Sequence, residues 1–166
     1  TALQQTIPNM TMQVARGSNS TLIAFIRGIG QQDPLWGFEP GVGLYVDDVY
    51  VARPQGAVLD IFDIQRIEVL RGPQGTLYGR NATGGAINIV SRAPTDEFEG
   101  YGSIVFGSFN RRDIKAAISG PISDRWSARI ALRGLKDDGY TKDLDPRGTN
   151  KIDDNDLQAL RATLRY

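Results

Sequence analysis

The stretch IEVLRGPQGTLYG at residues 67–79, followed by GGAINIV at residues 84–90, decides the fold of the first half of the chain. Apolar and polar side chains alternate at its start, which is the period of a half-buried β-strand. The Gly-Pro pair then ends the strand, residues 74–79 can make one helical turn, and residues 86–91 predict a second strand. The glycines fit neither the dinucleotide fingerprint nor the P-loop, so we interpret them as turn and close-packing positions rather than as a phosphate site.

Short elements of both kinds surround this stretch. Residues 22–27 form a β-rich run, and residues 42–51 predict a hairpin with Asp47 and Asp48 at its turn. Residues 57–63 suit a short helix. The first half of the chain therefore predicts an α+β domain with a small mixed sheet and short helices.

Residues 95–166 follow a strict period-two alternation of apolar and polar side chains. Four segments carry it, and each has about the ten residues that a tilted membrane-spanning strand needs. Four arginines alternate with the apolar side chains and therefore lie on the opposite face of the strands. An arginine that faced lipid near the membrane midplane would cost roughly 2–4 kcal/mol. Alternation alone fits a transmembrane barrel and a water-soluble sandwich with one wet face equally well. The segments are residues 101–109, 111–120, 125–135 and 156–166, and the arginines are Arg129, Arg133, Arg161 and Arg165.

Composition excludes several classes of function. The 166 residues contain no His and no Cys, which excludes a Ser-His-Asp or Cys-His catalytic site and thiolate zinc ligation. Lys+Arg and Asp+Glu both number 19, which argues against bulk electrostatic binding of nucleic acid. Asp47 and Asp48 are interpreted as turn residues rather than catalytic carboxylates, and residues 137–154 as a solvated acidic loop rather than a calcium site. We predict no catalytic residue, no metal and no cofactor.

Four motifs resemble the plug domain of TonB-dependent receptors of the bacterial outer membrane. They are IRG at 26–28, GLYVDDV at 43–49, IEVLRGPQGTLYG at 67–79 and GGAINIV at 84–90. The resemblance is close over residues 1–94 and implies a plug domain whose N-terminal part, with the TonB box, is missing. Over residues 95–166 it implies about the first four strands of an antiparallel transmembrane β-barrel. The chain is therefore expected to be a fragment with an incomplete barrel.

The resemblance also implies a function and a location. Members of this family import scarce nutrients actively across the bacterial cell outer membrane, most often ferric siderophores, and are not enzymes. The expected partners are TonB, reached through the missing N-terminal segment, a ferric siderophore or other small nutrient complex, and outer-membrane lipid. The alternatives are a soluble periplasmic binding or interaction module with no transport role, whose residues 95–166 would fold as a sheet in water, and an α/β enzyme limited to Asp and Glu for acid–base chemistry.

Two groups of site residues follow from the resemblance. Arg27 and Arg71, each just before a glycine at the end of a β run, are expected to pair with glutamates of the barrel wall. A surface charge is the alternative for both, and it is the interpretation we prefer for Arg66. The outward apex loops of the plug, where ligand is first held, are expected to contribute Gln32, Asp33, Trp36, Phe38, Arg53 and Gln55. For Trp36, packing on the barrel wall is an equal alternative.

Three aromatic residues near strand ends fit a membrane-interface girdle, with core packing as the alternative. They are Tyr101, Phe109 and Trp126.

Overall fold

The computed structural model describes residues 5–15, 21–32, 39–52, 62–141 and 154–166. The chain divides into two compact units, Thr1–Arg92 and Ala93–Tyr166. Within the described ranges, no helix is long and apolar enough to cross a membrane.

The described part of the first unit contains two helical residues, Gln5 and Thr6, followed by seven strands and one short helix. They are β1 (Met10–Val14), β2 (Leu22–Ile26), β3 (Ile29–Gly30), β4 (Val42–Val46), β5 (Val49–Tyr50), β6 (Ile64–Arg71), helix α1 (Gly75–Tyr78) and β7 (Gly85–Ser91). The structure confirms the predicted hairpin, which is formed by β4 and β5. It also confirms the predicted helical turn, which is α1, and the strands β6 and β7 that flank this turn. Of the helix predicted over residues 57–63, residues 57–61 lie outside the described ranges, and Phe62 and Asp63 form a bend.

The strands of the first unit form two small sheets. One has the order β1-β2-β3 and is antiparallel. The other has the order β5-β4-β7-β6, in which β4 runs parallel to β7 and the other neighbours are antiparallel. Side chains from both sheets share one hydrophobic core, since Met10, Met12 and Ile26 cluster with residues of β4 and β7. This small mixed sheet with a short helix is the α+β arrangement that the sequence predicts.

Gly85, the first residue of β7, lies at a contact between the two sheets. Its φ is +148°, a conformation that side chains disfavour. A Cβ added there would lie 2.3 Å from the carbonyl oxygen of Leu70 in β6 and 2.9 Å from Cδ1 of Ile26 in β2. Only glycine permits this approach, and it brings the ends of β2 and β6 to the same part of the unit.

The described part of the second unit is a four-stranded antiparallel sheet. Its strands are β8 (Glu99–Gly107), β9 (Arg111–Ser123), β10 (Trp126–Asp137) and β11 (Asn155–Arg165), in the order β11-β10-β9-β8. The continuous registers place odd-numbered residues of all four strands on one face through most of the sheet, and even-numbered residues on the other. Arg129, Arg133, Arg161 and Arg165 therefore share a face, opposite Ile118, Ile130 and Leu160, as the alternation predicts.

Two strand ends differ from the prediction. Pro121 was expected in the connection after the second segment, but it lies within β9, opposite Ser127. Proline is tolerated there because the pairing with β8 ends at Ser119 and the β9–β10 register shifts nearby. Phe109 was expected at the end of the first segment, but it forms the β8–β9 turn with Asn110, both at positive φ.

We predict that Gly85→Ala destabilises the first unit by about 1–3 kcal/mol, because the new methyl group overpacks the contact between the sheets. Hydrogen exchange of the β7 amides, followed by mass spectrometry, measures the loss. Gly75→Ala is the matched control, since a Cβ at Gly75 meets nothing within 4 Å. Equal protection of β7 in the two variants would contradict the assignment of Gly85 as a close-packing position.

Candidate functional site

Arg27 leaves the end of β2 in a tight turn. Its φ is +52°, a left-handed conformation that is uncommon for a residue with a side chain. Its backbone N–H donates to the carbonyl oxygen of Asn9, 2.8 Å away, which ties the turn to the start of β1. The backbone therefore fixes where the Arg27 side chain leaves the sheet.

Arg71 ends β6 and precedes Gly72, whose φ is +97°. The Gly72 N–H donates to the carbonyl oxygen of Gly84 at 3.1 Å, and the Gly84 N–H donates to that of Gly41 at 2.8 Å. These hydrogen bonds hold the turn after β6 against the segment that leads into β7. Arg27 Nη1 lies 3.8 Å from the position that a Cβ on Gly72 would take. The Arg27 side chain thus lies beside the turn that follows Arg71.

The two motif arginines differ from the other arginines near them. Both are exposed, and neither has an ion-pair partner among the residues that the structure describes. In contrast, Arg66 Nε lies 2.6 Å from Glu68 Oε1, and Arg80 Nη2 lies 2.9 Å from Glu39 Oε1. Arg66 is therefore a locally paired surface charge, as predicted, whereas Arg27 and Arg71 have no such ion pair among the described residues.

Asp47 and Asp48 form the β4–β5 turn, with φ of 50° and 64°. Asp47 Oδ1 accepts from the Ser91 N–H at 2.7 Å, and Asp48 Oδ1 accepts from Nδ2 of the buried Asn88 at 2.8 Å. The two carboxylates hold the turn against β7, which agrees with their interpretation as turn residues. Within the described ranges, no group of three or more Asp or Glu residues is arranged to hold a metal ion.

Glu68 extends this polar network. Its Oε2 accepts from Asn88 Nδ2 at 3.4 Å, while the hydrogen bond from Arg66 lowers the pKa of its carboxyl group. The carboxylate is therefore kept ionised and bound to a neighbour, which suits a structural role and not proton transfer.

A tyrosine cluster fixes helix α1, which follows the Arg71 turn. Tyr45 Oη donates to the carbonyl oxygen of Tyr78, and its ring centroid lies 4.7 Å from that of Tyr78 and 5.4 Å from that of Tyr50. Burial raises the pKa of both Tyr45 and Tyr50, so the hydroxyls stay protonated at neutral pH. Sequence reasoning did not identify this cluster; the tyrosines in GLYVDDV and TLYG were its signal.

The predicted apex residues lie mostly outside the described ranges. Gln32 is described and exposed. Asp33, Trp36, Phe38, Arg53 and Gln55 lie outside the ranges. An apolar cavity of about 30 Å³ in the first unit is lined by residues that include Leu22, Gln31 and Val42, but not by Gln32. Drug-sized ligands occupy pockets of roughly 300–1,000 Å³, so this cavity is too small for a siderophore.

The second unit carries its charges on one face of the sheet. The buried Arg129 lies 3.0 Å from Glu99 Oε1, and Arg133 binds both carboxylate oxygens of Asp113 at 3.2 and 3.3 Å. The charges on this face are therefore largely paired across strands.

The opposite face of the same sheet is apolar and exposed. Ile118 is 47% exposed, Ile130 48% and Leu160 73%. An apolar surface that spans four strands marks a face that contacts an apolar partner or medium.

The three residues predicted to form the membrane-interface girdle lie in three different places on the sheet. Trp126 lies at the end of the apolar face, with its ring 5.0 Å from that of Tyr166. Tyr101 lies opposite Ala117 on the polar face, so its assignment to the girdle is wrong. Phe109 is 60% exposed in the β8–β9 turn.

Comparison with known proteins identifies the family. The TonB-dependent Receptor Plug Domain family matches residues 1–86. The pesticin receptor of Yersinia pestis is 41% identical over 105 residues, which are 60% of this chain and 14% of the receptor. The vitamin B12 transporter BtuB of Vibrio cholerae is 28% identical over 162 residues, 95% of this chain and 25% of the transporter.

A solved structure of a receptor supports the same family assignment. The ferric yersiniabactin uptake receptor FyuA of Yersinia pestis superposes with a TM-score of 0.83 at 30% identity, over 98% of this chain and 25% of FyuA. The chain thus spans a quarter or less of these relatives' length. The comparisons confirm the predicted location in the bacterial outer membrane. The chain belongs to the TonB-dependent receptor family, and its match to that family is through the plug domain.

Proposed function

We propose that the receptor containing this chain takes up a ferric siderophore actively across the outer membrane, with energy supplied through TonB. In this proposal residues 1–94 are the plug and residues 95–166 are the first strands of the transmembrane barrel. Two relatives support the choice of ligand: FyuA, described as a ferric yersiniabactin uptake receptor, and the ferrioxamine B receptor of Salmonella typhimurium, 33% identical over 78 residues. The proposed role is transport and includes no bond chemistry.

The observation that carries the proposal is the division of β8–β11 into a charged face and an apolar face. Strands of 9 to 13 residues suit a tilted crossing of the membrane. Exposing Ile118, Ile130 and Leu160 to water costs about 25 cal/mol per Å² of apolar surface, whereas in a bilayer this surface meets hydrocarbon. The reverse orientation would place Arg129 and Arg133 against lipid, at roughly 2–4 kcal/mol each near the midplane.

The motif arginines have a proposed role in holding the plug. Arg27 lies beside the turn that follows Arg71, and both arginines lack ion-pair partners among the described residues, so carboxylates of a surrounding barrel wall suit them. The proposed ligand-binding surface consists of Gln32, Asp33, Trp36, Phe38, Arg53 and Gln55.

The soluble periplasmic module, the alternative function, makes a different prediction for the apolar face. We expect a spin label at Leu160→Cys to meet dissolved oxygen more than a water-soluble nickel chelate, because lipid concentrates oxygen. A label at Thr163→Cys, on the charged face of the same strand, is the matched control and should lack this preference. The full receptor is measured in liposomes. A Leu160 label that is equally accessible to the nickel chelate would favour the soluble module.

Removing both motif arginines should loosen the plug. For the double variant Arg27→Gln/Arg71→Gln we expect higher sensitivity of the cells to large antibiotics and a several-fold loss of uptake, because the proposed carboxylate partners on the barrel wall would be left as uncompensated charges. Arg66→Gln is the control, since exposed pairs contribute only about 0–1 kcal/mol. Wild-type sensitivity and uptake in the double variant would remove the proposed role of these arginines.

Uptake of iron-loaded siderophore tests the function directly. Cells that lack their own siderophore receptors and carry the full receptor should accumulate radioactive iron only when TonB is present. The variant Trp36→Ala/Arg53→Ala should raise the half-saturating concentration about tenfold, the loss expected when anchoring aromatic and arginine contacts are removed. Uptake that persists without TonB, or no uptake of any ferric siderophore supplied, would contradict the proposal.

A further inference from the structure

The chain passes from the first unit to the second through a short segment that hydrogen bonds hold on each side. Within the first unit, Arg92 donates its backbone N–H to the carbonyl oxygen of Asp63 and its Nε to that of Ile64, both at 3.2 Å. Within the second unit, Thr95 is bound to the sheet. Only residues 93 and 94 lie between these two attachments, so a pull along the chain passes directly from one to the other.

Thr95 is attached to Ser119 of β9 by its backbone and by its side chain. The Thr95 N–H donates to Ser119 Oγ at 2.9 Å, and the two hydroxyl oxygens are also 2.9 Å apart. The Thr95 hydroxyl lies 2.9 Å from the carbonyl oxygen of Glu97 as well, so Ser119 donates to Thr95 and Thr95 donates to Glu97. Ser119 is only 2% exposed, and breaking these hydrogen bonds would leave buried polar groups unsatisfied.

Two ion pairs extend this attachment to the other strands. Glu99, the first residue of β8, lies 3.0 Å from Nη1 of the buried Arg129 in β10. Asp96 pairs with Arg165 of β11, and both of these side chains are exposed. The start of β8 and the segment before it therefore contact β9, β10 and β11 through side chains.

We call these contacts of Thr95, Asp96 and Glu99 the clasp. Within the described sheet, β8 and β11 are the two edge strands, so the clasp reaches from one edge to the other. An exposed pair such as Asp96–Arg165 contributes only about 0–1 kcal/mol to stability. Starting β8 would not require a contact across the whole sheet, and the stability of the resting fold gains little from it.

The clasp changes how the sheet carries a pull on the chain that precedes it. Strand β8 is hydrogen-bonded to β9 from Glu99 to Gly107. Without the clasp, a pull at residue 98 would break the backbone hydrogen bonds of β8 one after another, starting at its first residue. With the clasp, contacts on three strands share the load and have to break together, which raises the barrier that sets the rate of forced separation.

We propose that the clasp is a mechanical stop, in which Thr95, Asp96 and Glu99 are positioning residues that keep β8 in the sheet while the first unit is pulled. This inference rests on the proposed function, because there TonB pulls on the plug. Transport then requires that the pull rearranges the first unit and leaves the strand that follows it in place.

Force spectroscopy on the full receptor in a lipid bilayer tests the clasp. The receptor is pulled from its N-terminal end at a fixed load, and the separation of β8 is recognised by the release of its nine residues. We expect Ser119→Ala to raise the rate of this step about tenfold, because both hydrogen bonds to Thr95 are lost. Ser103→Ala is the matched control, since Ser103 is exposed on the same face of β8 and opposite Lys115.

The direction of the pull separates a mechanical stop from a general loss of stability. A pull from the C-terminal end loads the last strands of the receptor first, so Ser119→Ala should leave the first unfolding step of that pull unchanged.

The exposed ion pair gives a second set of variants, which decides the question alone if Ser119→Ala does not fold. Asp96→Arg places a cation against Arg165 and should raise the rate of β8 separation. The exchange Asp96→Arg/Arg165→Asp restores an ion pair of opposite direction and should return the rate towards that of the wild type.

Two results would overturn the clasp: wild-type separation rates in the variants, or a change of equal size when the receptor is pulled from its C-terminal end. Uptake of iron-loaded siderophore by the wild type reports the proposed function separately. If uptake depends on TonB and the separation rates are unchanged, only the clasp fails. If uptake does not need TonB, the pull is absent, and the clasp has no role in transport.

Discussion

The contact at Gly85 is the constraint on which the candidate site of the first unit depends. A strand of one sheet can touch both β6 and β2 there only because residue 85 has no side chain, since a Cβ would lie 2.3 Å from a backbone oxygen. This approach brings the end of β2 beside the end of β6. The place of the Arg27 side chain beside the turn that follows Arg71 therefore depends on the packing of the two sheets.

Polar side chains then stiffen the same central strand. Asn88 is buried within β7 and bonds to Asp48 and Glu68 on the strands or turns at either side, while Asp47 binds the backbone at Ser91. A buried amide with satisfied hydrogen bonds specifies one register, because a shift by one residue would leave it without partners. Apolar packing at one end of β7 and hydrogen bonds at the other together hold the frame from which the arginines project.

Local patterns predicted much of this fold, and long-range contacts account for what they missed. Period-two alternation is a property of neighbouring residues, so the strands around residues 67–91 and the four strands after residue 95 could be read from the sequence. The face that Tyr101 takes depends on its pairing with Ala117, and the Tyr45–Tyr78 contact joins residues 33 apart; neither follows from local pattern. The motif arginines were found by family resemblance, but the place of Arg27 beside the Gly72 turn depends on the contact between the sheets.

The two faces of the second unit differ in how deeply their charged side chains are buried. On the polar face, arginines pair with carboxylates on other strands, and the side chains of Arg133 and Asp113 are only 15% and 8% exposed. On the apolar face, Lys136 pairs with Asp156 at the edge of the sheet, where the two side chains are 68% and 57% exposed. Water and salt screen an exposed pair strongly, so it contributes only about 0–1 kcal/mol. The polar face therefore depends more on its ion pairs, and a register shift of one residue, which would move its arginines to the apolar face, would break them.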